Sequence, residues 1–237
     1  LRPKGRALAP RIMQGYLDGL HEISSQAAKQ LASFEGNRLS LNGLPRLRQV
    51  VARELANFRG ELSLDGVESL DPEAAEALAA YPGPCLTLNG LTSIPEDIAV
   101  LLSSFQGTQL RLDGLTQLRK EEASRLAQFS GRGLYVDGLT SLTPAAAEGL
   151  AEFHTFFLSL NNIVSLPAEV GRELAKFHGQ ELYLDKLETL SAEEAGALAG
   201  FRWSRLYLRG LTSLSDDAAN ALSGFQGEAI HLEKLKD

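Results

Sequence analysis

The sequence repeats itself about every 24 residues along its whole length. The unit is Leu86-Thr-Leu-Asn-Gly-Leu91, and copies of it begin at Gly15 (a weaker copy), Leu39, Leu62, Leu110, Leu134, Leu158, Leu182, Leu206 and Ile230. One step, from Leu39 to Leu62, has 23 residues instead of 24. A fixed period of about 20–29 residues built on a Leu-x-Leu core is typical of a solenoid, in which each repeat buries its apolar side against the next.

Within the repeat, the apolar positions predict one strand and one helix. Numbered from the first Leu, positions 1, 3, 6 and 9 are Leu, Ile or Val in nearly every copy, and position 17 is Leu in all nine. Position 14 is Ala in eight of nine copies, and position 20 is always aromatic. Alternation from position 24 to position 4 predicts a short strand. The spacing of positions 13, 14, 17 and 20 predicts the buried side of a helix over positions 11–19.

These residues resemble the leucine-rich-repeat family, in its 24-residue bacterial type. Leu91, Leu115 and Leu139 occupy the site where many members carry Asn. The resemblance implies an α/β solenoid (horseshoe), with a parallel β-sheet on the concave face and short α-helices on the convex face. It also implies a binding role, without indicating a ligand. Because the usual Asn is absent, we expect apolar packing and the Gly of position 5 to hold the turn.

The unbroken repeat favours a single elongated domain over residues 1–237. We expect a decayed half repeat at residues 1–14, nine repeats over residues 15–229 and a terminal strand at residues 230–237. The basic residues near the start (Arg2, Lys4, Arg6 and Arg11) are typical of a solvated end. The chain begins with Leu and shows no signal peptide, so we expect a trimmed or processed chain. An exported or cell-surface location is slightly favoured over a cytoplasmic one.

Helix starts can also be predicted. Position 10 often carries a side chain that accepts hydrogen bonds from free backbone N–H groups: Ser24, Asp71, Thr143, Ser191 and Ser215. Pro72 and Pro144 follow directly, where a missing N–H costs little.

Composition makes several function classes unfavourable. The net charge of −7 opposes nucleic-acid binding. No apolar run reaches the roughly 18 residues that a membrane span requires. Cys85 is the single cysteine, and no G-x-S-x-G, H-E-x-x-H or phosphate-binding Gly-rich motif occurs. We therefore expect no enzymatic activity and no cofactor.

Two columns of side chains raise the question of a metal site. Position 4 carries Asp or Asn in eight copies, from Asp18 to Asp185. A carboxylate column can bind calcium, but Asx-Gly is also a common turn pair whose side chain bonds nearby backbone N–H groups, and we favour the turn. His154 and His178 share position 21 and can stack, but a third zinc ligand is missing. We therefore expect no metal site.

Large side chains concentrate on the sheet in the C-terminal half. Position 2 is small and polar at Ser40, Ser63 and Thr87, whereas three of the later repeats carry Tyr there. We select as a candidate binding patch Tyr135, Phe157, Tyr183, Arg205, Tyr207 and Arg209. Tyr and Arg are enriched at interface hot spots, but Tyr also suits any strand surface. Phe157 beside Phe156 can equally compensate for a missing Gly, with one ring packing inward.

The resulting functional hypothesis is a non-catalytic scaffold that binds a protein or peptide on the concave face. Two alternatives remain open: a structural repeat segment, and the recognition module of a larger protein whose effector or catalytic domain lies elsewhere. We expect a monomer, or weak end-to-end or face-to-face association.

Overall fold

The computed structural model describes residues 14–154, 156–202 and 205–235. Within these ranges each repeat contributes one strand to a single ten-stranded sheet, in which every strand pairs in parallel with the next in chain order. The strands are β1 (Gln14–Tyr16), β2 (Arg38–Ser40), β3 (Glu61–Ser63), β4 (Cys85–Thr87), β5 (Gln109–Arg111), β6 (Gly133–Tyr135), β7 (Phe157–Ser159), β8 (Glu181–Tyr183), β9 (Arg205–Tyr207) and β10 (Ala229–His231). The half repeat expected at residues 1–14 lies outside the described residues except for Gln14.

A short helix follows each of the first nine strands. The helices are α1 (Ser25–Ala32), α2 (Gln49–Leu55), α3 (Pro72–Ala79), α4 (Glu96–Ser103), α5 (Lys120–Leu126), α6 (Pro144–Ala151), α7 (Ala168–Leu174), α8 (Ala192–Ala199) and α9 (Asp216–Leu222). In the repeat that begins at Leu62, the predicted helix over 72–80 agrees with α3 to within one residue. At seven or eight residues, the described helices are too short to cross a bilayer.

One core runs between the sheet and the helices. Leu134 and Val136, at positions 1 and 3 of their repeat, are fully buried. On α3 the predicted buried side is confirmed, since Ala74, Ala75 and Leu78 have no exposed surface. Small alanines at these positions allow the helices to approach the sheet closely.

The aromatic residues of position 20 form a stacked row inside this core. Neighbouring rings lie nearly parallel, with centroids 5.9 Å apart for Phe105 and Phe129 and 6.2 Å apart for Phe153 and Phe177. From Phe58 to Phe201 all seven rings are buried: Phe58, Tyr81, Phe105, Phe129, Phe153, Phe177 and Phe201. From Phe105 to Phe201 each ring stacks on the rings of the repeats before and after its own, which couples neighbouring repeats to each other.

The predicted helix starts are confirmed at all five positions. The hydroxyl or carboxylate oxygens of Ser24, Asp71, Thr143, Ser191 and Ser215 each accept a hydrogen bond from the backbone N–H three residues later. Pro72 and Pro144 occupy the first turns of α3 and α6.

The Gly of position 5 matters because of the neighbouring repeat, and not because of the backbone conformation of its own turn. No described glycine has a positive φ, so the turn itself does not demand glycine. Instead, a Cβ on Gly90 would lie 2.5 Å from the carbonyl oxygen of Asp65 and 2.6 Å from that of Val67, both in the preceding repeat. The glycine therefore allows consecutive repeats to stack closely.

The turn is not held by apolar packing and glycine alone, and that expectation was wrong. The Asp or Asn of position 4 accepts a hydrogen bond from the backbone N–H of the equivalent residue one repeat later. Asn89 Oδ1 lies 2.8 Å from the Asp113 nitrogen, and Asp137 Oδ1 lies 2.7 Å from the Asn161 nitrogen. We call this chain of contacts, from Asp18 to Arg209, the Asx ladder. The side chains accept from backbone N–H groups as expected, but the donors belong to the next repeat.

Replacing Asp137 with alanine is expected to cost about 2 kcal/mol of folding free energy. The change leaves the Asn161 N–H and the buried Ser159 hydroxyl, which donates to Asp137 at 2.7 Å, without their acceptor. Asp137→Asn keeps the oxygen in place, as Asn89 does naturally, and should cost much less. Urea denaturation of both variants tests this, and equal losses would show that the ladder does not stabilise the fold.

Candidate functional site

Side chains at positions 24, 2 and 4 point away from the core and form what we call the sheet face. In its N-terminal half the small position-2 residues Ser40, Ser63 and Thr87 are buried, although the sequence suggested that they are exposed. They sit low between larger neighbours and donate hydrogen bonds to the Asx ladder, as Thr87 does to Asp65 at 2.7 Å. They therefore form a floor rather than a contact surface.

Above this floor lies a polar depression of about 290 Å³. Arg38 and Glu61 stand at one side of it, with their nearest side-chain nitrogen and oxygen 4.0 Å apart. At the other side, Arg111 donates to Asp113 at 3.1 Å and 2.8 Å through Nε and Nη2. Its guanidinium carbon also lies 4.0 Å from the ring centre of Tyr135. The charged groups of the depression are thus largely balanced within the chain.

Cys85 lies in the same depression but is not prepared for nucleophilic chemistry. Burial, together with the negative charge of Glu61, raises the pKa of its thiol from 9.0 to about 11. The thiol is therefore protonated at neutral pH, and the thiolate is the reactive form.

In the C-terminal half, five rings form a continuous row that we call the aromatic ridge: Tyr135, Phe157, Tyr183, Tyr207 and His231. Phe157 meets its two neighbours edge-on, with ring centres 5.0 Å from Tyr135 and 5.9 Å from Tyr183. The remaining rings stack in parallel, with centres 4.2 Å apart for Tyr183 and Tyr207 and 4.3 Å apart for Tyr207 and His231. The ridge crosses the five strands from β6 to β10.

Phe157 fits because β6 carries glycine beside it. A Cβ on Gly133 would overlap the Phe157 ring, so the ring covers the Gly133 backbone. Phe156 stacks under the guanidinium of Arg132, whose central carbon lies 4.4 Å from the ring centre. Both phenylalanines are half-buried, and neither packs fully into the core.

A buried carboxylate supports the ridge from one side. Glu181 accepts hydrogen bonds from the Tyr183 hydroxyl at 2.6 Å, from Arg205 Nη1 at 3.0 Å and from the Tyr207 hydroxyl at 3.3 Å. Burial of the Tyr183 hydroxyl, and next its hydrogen bond to Glu181, raise the pKa of Tyr183. Tyr183 therefore remains neutral, and its hydrogen bond and that of Tyr207 to Glu181 fix the positions of both hydroxyl groups.

The arginines of the patch are held by carboxylates of the same chain. Arg205 approaches Glu181 at 3.0 Å and Glu228 at 3.5 Å. Arg209 approaches Asp185 at 3.3 Å and Glu233 at 3.0 Å. The guanidinium carbon of Arg209 also lies 4.5 Å from the ring centre of Tyr207, which places this side chain on the sheet face.

The structure brings all six predicted patch residues together, although their roles differ. Tyr135, Phe157 and Tyr183 are partly exposed and can contact a partner, whereas Tyr207 is only 7% exposed and supports its neighbours. The sequence selection omitted His231 and Glu181, which stand in the same position-2 and position-24 columns. The role of Glu181 depends on its contacts with Tyr183, Tyr207 and Arg205, which the sequence does not indicate.

The architecture now decides the fold. Over the described residues every 24-residue step adds one parallel strand and, up to the ninth strand, one helix, in chain order, with Leu or a similar residue at the repeating core positions. The chain folds as a leucine-rich-repeat solenoid. No protein-family model matches the sequence, and no curated protein matches it.

Solved structures with a similar fold come from three proteins. A chain of the Drosophila Toll–Spätzle complex aligns at 13% identity and a TM-score of 0.49, covering 90% of this chain but only 34% of that one. An internalin from Listeria monocytogenes aligns at 16% identity and a TM-score of 0.46, and the alignment covers 87% of this chain and 64% of the internalin chain. LegL7 from Legionella pneumophila aligns at 18% identity and a TM-score of 0.42, and the alignment covers 90% of this chain and 89% of LegL7.

The side chains considered as metal ligands have other contacts in the part of the chain that the structure describes. There, no three His, Cys, Asp or Glu side chains are grouped so that they could hold an ion. The rings of His154 and His178 stack with centres 5.1 Å apart, so the pair forms, but at the surface. The carboxylates of position 4 accept hydrogen bonds in the Asx ladder.

Proposed function

We propose that the solenoid is a non-catalytic scaffold that binds a protein or peptide on its sheet face, which is the expected concave face, with the aromatic ridge as the main contact. The observation that carries the proposal is the continuous row of rings from Tyr135 to His231, four of which remain partly exposed. Aromatic side chains supply large contact area and dominate binding energy at interfaces.

The dimensions of the ridge suit a short peptide or a loop of a partner. Adjacent strands lie about 4.8 Å apart, so four steps from β6 to β10 span about 19 Å. The rings are also held in place before binding, since each contacts the next and Glu181 fixes two hydroxyl groups. Fewer side chains then lose freedom on association, which favours affinity.

One observation favours the alternative of a structural role. Phe157 covers the backbone of Gly133 and fills the space between two tyrosines, so it also contributes to the stability of the fold. A purely structural ridge predicts that ring substitutions lower stability and leave every partner bound. The recognition-module alternative uses the same surface within a larger protein.

Photo-crosslinking locates the contact directly. A photoreactive phenylalanine analogue replaces Tyr135 on the ridge or, as the control, Val100, an exposed residue of α4 on the helix side. Irradiation in an extract of the native source should trap a partner from Tyr135 and not from Val100. Trapping from Val100 alone, or from both positions equally, would contradict the proposal.

The affinity of the trapped partner then measures the contribution of the ridge. Tyr135→Ser and Phe157→Ser should each weaken binding by about 1–3 kcal/mol, the range of an interface hot spot, whereas Val100→Ser should leave it unchanged. Thermal melting of the same variants separates the two explanations. Variants that melt far below the native chain yet retain the partner would support a structural ridge instead.

A further inference from the structure

We infer that the aromatic ridge selects a basic partner segment, in which arginine or lysine stands beside apolar residues. This inference rests on the proposed function and states the chemistry of the partner. It departs from the simplest reading of the sequence, in which Arg205 and Arg209 would attract acidic groups.

The two arginines already face carboxylates of their own chain. Each lies between two carboxylates of its own chain, Arg205 between Glu181 and Glu228 and Arg209 between Asp185 and Glu233. Around them, four carboxylates stand against two guanidinium groups. A partner's carboxylate would meet this surplus of negative charge.

The outer carboxylates of these pairs are accessible. The side chains of Glu228 and Glu233 are 67% and 64% exposed, whereas their arginines are 45% and 36% exposed. Two lysines lie in the turns beyond the strands. Lys186 reaches back to the Asn162 side chain at 3.5 Å, and Lys234 directly follows Glu233 in the chain. The most exposed side chains of these ion pairs are therefore two carboxylates, which favour an approaching cation.

The rings themselves already bind guanidinium groups of the chain. The central guanidinium carbons of Arg111, Arg132 and Arg209 lie 4.0, 4.4 and 4.5 Å from the centres of the Tyr135, Phe156 and Tyr207 rings. These distances are within the range of a favourable cation–π contact, about 6 Å. Tyr183 lies 5.9 Å from the guanidinium carbon of Arg209, and Phe157, between these pairs, is partly exposed and offers ring surface for a similar contact from a partner.

The probe is a matched pair of labelled synthetic peptides of about nine residues. They share the same leucine and tyrosine residues and differ only in carrying arginine or glutamate at the remaining positions. Fluorescence anisotropy with the purified chain should show binding of the arginine peptide that weakens as salt rises, because exposed charges are screened. The glutamate peptide should bind at least about tenfold more weakly.

Charge-matched variants separate the ridge from the general negative charge of the molecule. Glu228→Gln combined with Glu233→Gln should weaken the arginine peptide about 5–10-fold, since two exposed charges beside the ridge are lost. Glu73→Gln combined with Glu169→Gln removes the same charge from exposed sites on α3 and α7 and should leave binding within about twofold. Equal weakening by both pairs, or equal binding of the two peptides, would overturn the inference.

The outcome is distinguishable from that of the proposed function. If the arginine peptide does not bind at the ridge while the native partner still crosslinks at Tyr135, the inference of a basic partner is wrong and the proposed binding face is retained. If the native partner is indifferent to Tyr135→Ser and Phe157→Ser, the binding face itself is wrong.

Discussion

Replacing Phe129 with alanine is expected to lower the free energy of unfolding by about 3–5 kcal/mol. The ring is 1% exposed and lies between Phe105, 5.9 Å away, and Phe153, 6.4 Å away. Its removal leaves a cavity that two neighbouring repeats would have to close, and the stacked rings on either side cannot both move into it. Urea denaturation followed by circular dichroism measures the loss.

The matched control is Phe225→Ala, in the same position of the last complete repeat. Phe225 is half-buried and has one ring neighbour, Phe201, at 6.1 Å. It should cost about half as much, because its removal opens a site that water already reaches. Leu126→Ala should cost about as much as Phe129→Ala, and Leu235→Ala, at an exposed end, should cost least. The same small loss is expected for Ile12→Ala, but Ile12 lies outside the described residues. Equal losses at the centre and the ends would contradict the nearest-neighbour description of a solenoid.

Gly90→Ala is expected to cost about 3 kcal/mol, although it adds only one methyl group. The new Cβ would lie 2.5 Å and 2.6 Å from two backbone carbonyl oxygens of the preceding repeat, which cannot rotate away as a side chain can. The stack of repeats must open at this point, which also stretches the rung of the Asx ladder between Asp65 and the Asn89 nitrogen. Thermal melting and denaturant unfolding both report the loss.

Gly19→Ala is the control, because Gly19 occupies the same repeat position but has no neighbouring atom within 4 Å of the place where the new methyl group would lie. It should change stability by less than about 1 kcal/mol, in either direction. Asn162 and Lys186 occupy the same position in two other repeats, so that the stack accommodates a larger residue there. If Gly90→Ala melted like Gly19→Ala, close stacking would not be the reason for glycine here.

Much of the fold follows from the sequence because its causes are local or strictly periodic. Ser191 caps α8 through a group three residues away, and Phe129 meets Phe153 because both hold the same repeat position. The strand register follows for the same reason, with Leu110 opposite Leu134. One period determines which residues become neighbours across the whole array.

The features that were missed depend on side-chain height and on contacts between columns. Ser63 is buried because its neighbours are larger, which no single position indicates. The Asx ladder could have been predicted by comparing position 4 of one repeat with position 2 of the next. Ser40 and Ser159 each stand in position 2 after a repeat with Asp in position 4, and each donates to that Asp. The pairing of Arg205 with Glu181 likewise joins adjacent copies of position 24.

The Asx ladder also affects how such a chain can change length. Each repeat accepts with a side-chain oxygen and donates with a backbone N–H, and Asp and Asn serve equally as acceptors. If the segment 110–133 were lost, Asn89 would face the Asp137 nitrogen, and the same bond could form. Duplication or loss of whole 24-residue units therefore preserves the contact, so that a gene can lengthen or shorten this array without new chemistry at the junction.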